Sequence, residues 1–367
     1  MSRFARHRRV FFVEEPIIEE RTPTLRSFIC PKTGVQVNVP ILPPGLTSQQ
    51  AAYLQEQLLA GMVAENRIEA CIAWYYTPMA RHFSSFLRPR VTVYDCMDEL
   101  SAFAGAPPAM GENERALFRD ADLVFTGGAS LFESKRRQHP AVYLFPSSVD
   151  VAHFARARSS RNDPEDQAPA PYPRIGYAGV IDERMDLELI AKISEARADW
   201  HVVMLGPVAK IDPASLPKAP NIHYLGMKSY AQLPDYFAGW EIGLLPFALN
   251  DSTRFISPTK TPEYLAAGLR VVSTPIRDVV SPYGDLGLVS IAQTAGDFIS
   301  AIKLLLDSPS SPARRDAIDA FLSKSSWDQT WREMNNLIEE RIMFRSTSGH
   351  RKPLPLTKRL AKDLTRV

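Results

Sequence analysis

The stretch Ser257-Pro-Thr-Lys-Thr-Pro-Glu-Tyr-Leu-Ala-Ala-Gly268, followed by Leu-Arg-Val-Val-Ser-Thr274, decides how this chain is read. A loop opens into a helix, the helix stops at a glycine, and an apolar run follows at once. Pro262 suits a first helical turn, where its missing N–H is not needed. Gly268 suits the position just past a helix, where a left-handed backbone is wanted. The helix start presents free amides and positive dipole, with Lys260 just before it and Glu263 in its first turn. Such a place attracts an anion, while Glu263 can accept hydrogen bonds from hydroxyls. A diphosphate next to a ribose diol has that pairing of groups. The plain alternative is a glutamate that only complements the helix dipole.

Working outward, the apolar runs at 175–178, 202–205, 222–225, 242–246, 271–273 and 286–291 are short and continuous, as parallel strands buried on both faces should be. Helical patterns lie between most of them, at 187–196, 230–238, 263–267 and 298–306. This is the signature of a doubly wound α/β domain. The first half repeats it less cleanly, with strands expected at 10–13, 71–74, 91–94, 123–125 and 142–145 and helices at 48–66, 110–119 and 129–137. Residues 158–173 carry four prolines and almost no aliphatic residues, so they read as an exposed linker.

The segment around Glu263 resembles the donor-binding motif of GT-B-type bacterial glycosyltransferases, in particular the Pro-x-Lys-x-x-Glu-Tyr-Leu-Ala-Ala-Gly form of the teichuronic-acid and polysaccharide group. In the large retaining family the motif is Glu-x7-Glu; here the earlier position is Phe255. The stretch Pro146-Ser-Ser-Val-Asp150-Val-Ala-His-Phe154 also resembles the exit from the first domain of such enzymes. The resemblance covers about residues 1–330 and implies two Rossmann-like domains facing each other across a cleft. The expected division is an acceptor-binding domain at 1–157, the linker at 158–173, and a nucleotide-sugar-binding domain at 174–312. C-terminal helices follow at 313–343, packing back on the first domain, and then a basic tail at 344–367.

The resemblance also implies roles. Lys260 would hold the diphosphate, Glu263 the ribose, and Thr259 would add a hydroxyl contact to phosphate. Gly179, in the loop after the strand at 175–178, lets the backbone approach the phosphates, and Arg184 supplies charge. Met227 ends a strand where relatives bind the base, largely through backbone groups. Strand ends in the first half offer Asp95 and Asp98. Asp98 is the candidate base of an inverting transfer, which must take a proton from the acceptor hydroxyl; the alternative is that either aspartate caps the next segment. Trp74, Tyr75 and Tyr76 are either an acceptor wall or core.

Other features narrow the choice. The three cysteines, Cys30, Cys71 and Cys96, lack metal-ligand spacing, and the seven histidines show no His-x-x-x-His pattern, so no metal and no cofactor beyond a nucleotide-sugar co-substrate is expected. No apolar run is long enough to span a bilayer, and the chain reads as cytoplasmic. From 341 onward Arg341, Arg345, Arg351, Lys352, Lys358, Arg359, Lys362 and Arg366 face one acid, Asp363. Leu356, Leu360 and Leu364 share a helical face, so the tail is expected either to meet an anionic membrane surface or to be solvated. No aromatic-interleaved basic face suggests nucleic acid. Met1-Ser-Arg-Phe-Ala-Arg-His reads as the end of a helix whose preceding strand is missing, as if translation began at an internal methionine. The expected activity is transfer of a sugar from a UDP-sugar to a glycan or lipid-linked acceptor. The rivals are a sugar-nucleotide epimerase of similar fold and a non-catalytic nucleotide-sugar-binding protein.

Overall fold

A computed structural model describes residues 1–348 apart from 161, 310 and 325. Its strands in chain order are β1 (Phe11–Val13), β2 (Ile17–Ile18), β3 (Thr24–Ile29), β4 (Gln36–Leu42), β5 (Ile72–Tyr75), β6 (Val91–Cys96), β7 (Leu123–Thr126), β8 (Val142–Leu144), β9 (Arg174–Ala178), β10 (His201–Leu205), β11 (Ile222–Gly226), β12 (Ile242–Leu245), β13 (Arg270–Ser273) and β14 (Ser290–Ile291).

The second half is one six-stranded parallel sheet in the order β11-β10-β9-β12-β13-β14. The chain starts at a central strand, winds one way, and then returns to wind the other. The order therefore reverses between β9 and β12, which is where doubly wound sheets open a crevice at their carboxyl ends. Both faces are buried: Val203 and Leu205 join Tyr264 and Leu265 in one core, whereas Val202 and Met204 join Ile190 and Phe298 in the other. That double burial explains why the strands read as unbroken apolar runs.

The first half divides in two. β5-β6-β7-β8 form a parallel sheet in sequential order, and β4 forms a second sheet, flanked by β1 and β2 in parallel and by β3 antiparallel. The β3–β4 pair lies in a region the sequence reading left without strands. Phe4, in a single 3-10 turn (Phe4–Arg6), packs its ring against Trp74 at 5.4 Å and Trp331 at 6.1 Å.

Several expectations need correction. Val149, Phe154 and Ala157 are already buried in the core of the second sheet, so residues 158–173 follow the crossing and do not form it; the segment is exposed in part but is not a solvated linker throughout. Gln167 and Ala170 are buried, Asp163 pairs with the buried Arg174 at 2.8 Å, and Asp166 accepts from Tyr236 at 2.7 Å. Here the polar side chains Asp163, Asp166 and Gln167 serve specific hydrogen bonds to the second domain. The run 286–291 contains only a two-residue strand, because Gly287 turns with φ +68°. The expected helix at 230–238 is a 3-10 turn (Tyr230–Gln232) leading into Leu233–Ala238.

The C-terminal helices separate. Pro312–Leu322 stays with the second domain through buried Ile318 and Leu322, and Trp327–Ser348 crosses to the first through buried Ile338. Arg341 and Arg345, counted in the basic tail by sequence, lie in this last helix and pair with Asp122 at 3.0 and 2.6 Å. The remaining tail, from 349, lies outside the described residues. Among the described residues the chain thus passes between the halves twice, at 146–151 and between Leu322 and Trp327. Both crossings line one cavity of about 590 Å3, where Arg3 also meets Asp328 at 2.7 Å.

Candidate functional site

The helix announced by the opening motif spans Lys260–Ala266. Lys260 is therefore its first residue and not the one before it, while Pro262 and Glu263 lie in its first turn as expected. Its end is a Schellman closure: the Gly268 amide donates to Leu265 O at 2.9 Å and the Leu269 amide to Tyr264 O at 3.0 Å, with Gly268 at φ +86°. The motif's Tyr264 fixes the helix in place. Its ring is fully enclosed over Gly243, where a Cβ would come within 2.6 Å, and its hydroxyl accepts the Ala178 amide at 2.7 Å. The helix is thereby bolted to the carboxyl end of β9, beside the switch point.

On that helix Lys260 Nζ lies 2.7 Å from Glu263 Oε2. Burial pushes the Glu263 carboxyl up, and Lys260 and then His153 oppose the shift. Two residues that sequence reasoning assigned to separate contacts are thus one ion pair. Thr259 precedes the helix, exposed, with no side-chain cap bond. Beside Glu263, the His153 ring stacks on Tyr230 with centroids 4.2 Å apart, and its Nε2 donates to Tyr230 O at 2.9 Å. Burial raises the Tyr230 phenol to about 12, and the Asp150 and Glu263 carboxylates act in the same direction.

The other predicted positions sit at the ends of neighbouring strands. Gly179 follows β9, and its amide donates to Leu205 O at 2.9 Å. Gly206, which the sequence reading did not single out, approaches so closely that a Cβ would lie 1.8 Å from Gly179 O. Only glycine, at φ +136°, serves there. Met227 follows the end of β11 and is 77% exposed. Arg184 is engaged: its guanidinium grips Asp182 in a fork, with Nη2 2.7 Å from Oδ2 and Nε 3.0 Å from Oδ1.

The first domain reaches toward this loop. Asp98 lies just past β6, half-buried, and burial raises its carboxyl while Arg184 across the cleft lowers it. Phe103, from the same segment, lies under Arg184 at 5.5 Å and Lys210 at 5.3 Å. The segment is anchored from beneath by Lys135, whose ammonium sits 2.9 Å from both Glu99 and Glu114. Asp95 is a different kind of group. It points into the sheet, accepts from Trp74 Nε1 at 3.1 Å, leaves Oδ1 without a partner, and is raised to about 7 by burial. Trp74 is accordingly core, packed against Phe4 and Phe125, whereas Tyr76 is exposed.

A second interdomain contact was not legible in sequence. The Ser130 amide, at the start of the helix Ala129–Lys135, donates to Asp278 Oδ1 at 2.9 Å. A Cβ at Gly128 would meet Asp278 Oδ2 at 2.2 Å, so the Gly127-Gly128 pair was the available signal. Among the described residues, no group of three or more His, Cys, Asp or Glu side chains gathers as metal ligands, and no helix is long and apolar enough to cross a membrane.

No model of a known protein family matches the chain. Over 222 residues it is 24% identical to a protein of Bacillus subtilis described as a putative teichuronic acid biosynthesis glycosyltransferase, TuaH, and the match covers 56% of each chain. The chain therefore spans about half the length of the curated relative it matches. Among solved structures it is similar to sucrose-phosphate synthase from Thermosynechococcus elongatus, with TM-score 0.69 and 13% identity over 94% of this chain and 92% of that one. It is also similar to Anabaena Alr3699/HepE in complex with UDP and glucose, with TM-score 0.62 and 12% identity over 84% and 87%. A third is an α,α-trehalose-phosphate synthase from Burkholderia xenovorans in complex with glucose-6-phosphate, with TM-score 0.65 and 12% identity over 92% and 94%. These likenesses establish the architecture: the chain has the GT-B fold of glycosyltransferases, two Rossmann-like domains across a cleft.

Proposed function

We propose that this protein is a glycosyltransferase that moves a sugar from a nucleotide donor, a UDP-sugar, to a glycan or lipid-linked acceptor in cell-surface polysaccharide biosynthesis. The observation that carries the reading is the Lys260–Glu263 pair on a helix fixed at the switch point of a doubly wound sheet. A diphosphate arriving there would draw the Lys260 ammonium from Glu263 to itself and free the carboxylate for the ribose hydroxyls. Charge builds on the leaving diphosphate as the glycosidic bond breaks, and preorganised cations stabilise it most in the transition state. In this reading Lys260 and the helix amides do that work, with Thr259 adding a hydroxyl, so no metal is assigned. Gly179 and Gly206 allow the backbone to approach the phosphates, and the Met227 turn receives the base. Arg184, held by Asp182, orders the loop and faces Asp98, which takes the acceptor proton if the transfer inverts.

The similarity to TuaH and the UDP and glucose named for the Anabaena structure support the donor and pathway class. On this reading a lipid-linked acceptor would bring the enzyme to the cytoplasmic face of a membrane, where the basic residues beyond 349 would add about 1 kcal/mol each near anionic lipid. The test is transfer of radiolabelled sugar from UDP-glucose, UDP-glucuronate and UDP-N-acetylhexosamines to lipid extracts, with and without chelator. Consumption of donor only by epimerisation, or binding without any transfer or hydrolysis, would overturn the assignment.

A further inference from the structure

At the amino ends of β6 and β7, on the side of the first domain away from the cleft, lies a cavity of about 970 Å3. Six arginines line it, Arg81, Arg88, Arg115, Arg119, Arg341 and Arg345, against two acids, Asp120 and Asp122. Local pairing leaves the balance positive. Arg81 is met by Asp120 at 2.7 Å. Asp122 is saturated: Oδ2 accepts the Thr92 amide at 2.9 Å, and Oδ1 alone faces both Arg341 and Arg345. Arg345 spends Nη1 on the Arg90 carbonyl at 2.7 Å, yet its buried Nε has no partner. Arg115 and Arg119, one turn apart on the exposed side of the helix Met110–Asp120, have no carboxylate partner among the described residues. The remaining wall adds no negative charge. His139 has both nitrogens occupied, with Nε2 donating to Ala121 O at 3.1 Å and Nδ1 accepting from Ala141 N at 3.1 Å. Residues 349–367 carry six Lys and Arg against one Asp, so their sequence adds no negative charge to balance these arginines.

We propose that this arginine-lined cavity binds a phosphate-bearing anion, at a site separate from the nucleotide cleft. Guanidinium forks match phosphate oxygens in pairs, Arg115 and Arg119 are the ones not committed to a carboxylate or, as Arg88 is, to backbone carbonyls among the described residues, and the cavity is wide enough for a diphosphate with part of what it is attached to. The source is either a lipid headgroup, which would seat this face of the first domain on a bilayer, or a soluble phosphorylated molecule.

The experiment uses the full chain and inorganic pyrophosphate in calorimetric titration, with saturating UDP present and again in Lys260→Ala. Binding is expected to persist in both, and to weaken about tenfold or more in Arg115→Glu/Arg119→Glu, as loss of two charge-assisted contacts implies. Arg115→Gln/Arg119→Gln, which only removes charge from exposed positions, should show the same direction with an unchanged melting temperature. Cosedimentation with phosphatidylglycerol vesicles separates the sources: pelleting that needs Arg115 and Arg119 assigns a headgroup, and pyrophosphate binding without such pelleting assigns a soluble ligand. If pyrophosphate binding vanishes with UDP or in Lys260→Ala, or is equally tight in both double variants, the site is wrong.

Discussion

The Asp278 carboxylate of the second domain accepts the backbone amide of Ser130 in the first, at 2.9 Å, across the space between two Rossmann-like sheets. An acid seated at the start of another domain's helix is held by unsatisfied amides. It is also drawn out of water, and burial raises its carboxyl while the Ser130 amide and then Arg277 oppose the rise. If the domains separate, Asp278 returns to water and to an ordinary carboxylate value.

That difference makes closure pH-dependent. The closed form holds the Asp278 proton more tightly, so closing takes up protons in the window between the ordinary value and the raised one. Lowering the pH through that window should favour the closed form, raising it should weaken closure, and above the raised value the effect should be level. A fluorescence distance pair across the cleft, read from pH 3.5 to 7, checks this. Asp278→Asn should flatten the response, and an unaltered titration in that variant would locate the effect elsewhere.

Lys260→Ala is expected to weaken UDP binding by about 1.5–3 kcal/mol, the range for a charge-assisted hydrogen bond. Uridine should sense Glu263→Gln more than Lys260→Ala, because it offers the ribose without the diphosphate. The ion pair adds a qualification in energy: the diphosphate competes with Glu263 for Lys260, so part of the binding energy replaces a contact already made. Calorimetry with both nucleotides on both variants decides it, and unchanged UDP affinity in Lys260→Ala would remove the donor site from this helix.

Asp98→Asn should abolish transfer while leaving donor affinity intact, since the base acts on the acceptor and the donor is held by the other domain. Burial raises the Asp98 carboxyl, so turnover should rise with pH above the usual carboxylate range and then level. Normal acceptor-dependent turnover in the variant would favour a retaining transfer, for which no such base is needed.

Asp122→Ala should cost about 3–5 kcal/mol, because it removes the shared carboxylate of two guanidinia at a largely buried junction. The loss falls on the docking of Trp327–Ser348, so early release of that helix should appear in hydrogen exchange before global unfolding. A melting temperature within a degree of the parent would mean the helix is held by its other contacts, the apolar side chains around Ile338 and the bonds of Arg345 to Arg90 O and of Asp328 to Arg3.

Much of this was legible in sequence because burial on both faces forces continuous apolar runs. The five longer strands of the second sheet and the helices Ser48–Glu65, Met110–Asp120 and Leu187–Ala196 lie close to their expected positions. The opening motif likewise exposed Lys260, Glu263 and the glycine stop. What sequence hid was pairing at a distance. Arg345 and Asp122 lie 223 positions apart and Ser130 and Asp278 148 apart, so no local pattern marks them. Polarity misled in the same way at 158–173, where Gln167 bonds Trp240 Nε1 at 2.8 Å inside the protein although the composition is that of a solvated loop.

The two passages between the halves among the described residues, side by side on one cavity, would act mechanically as a pair of hinge pins. A single tether would let the domains swivel and twist in any direction. Two tethers close together leave one easy rotation, about the line that joins them, and resist the rest. Opening and closing would then repeat along one track, and Asp278 would return to the same amide at the end of every stroke.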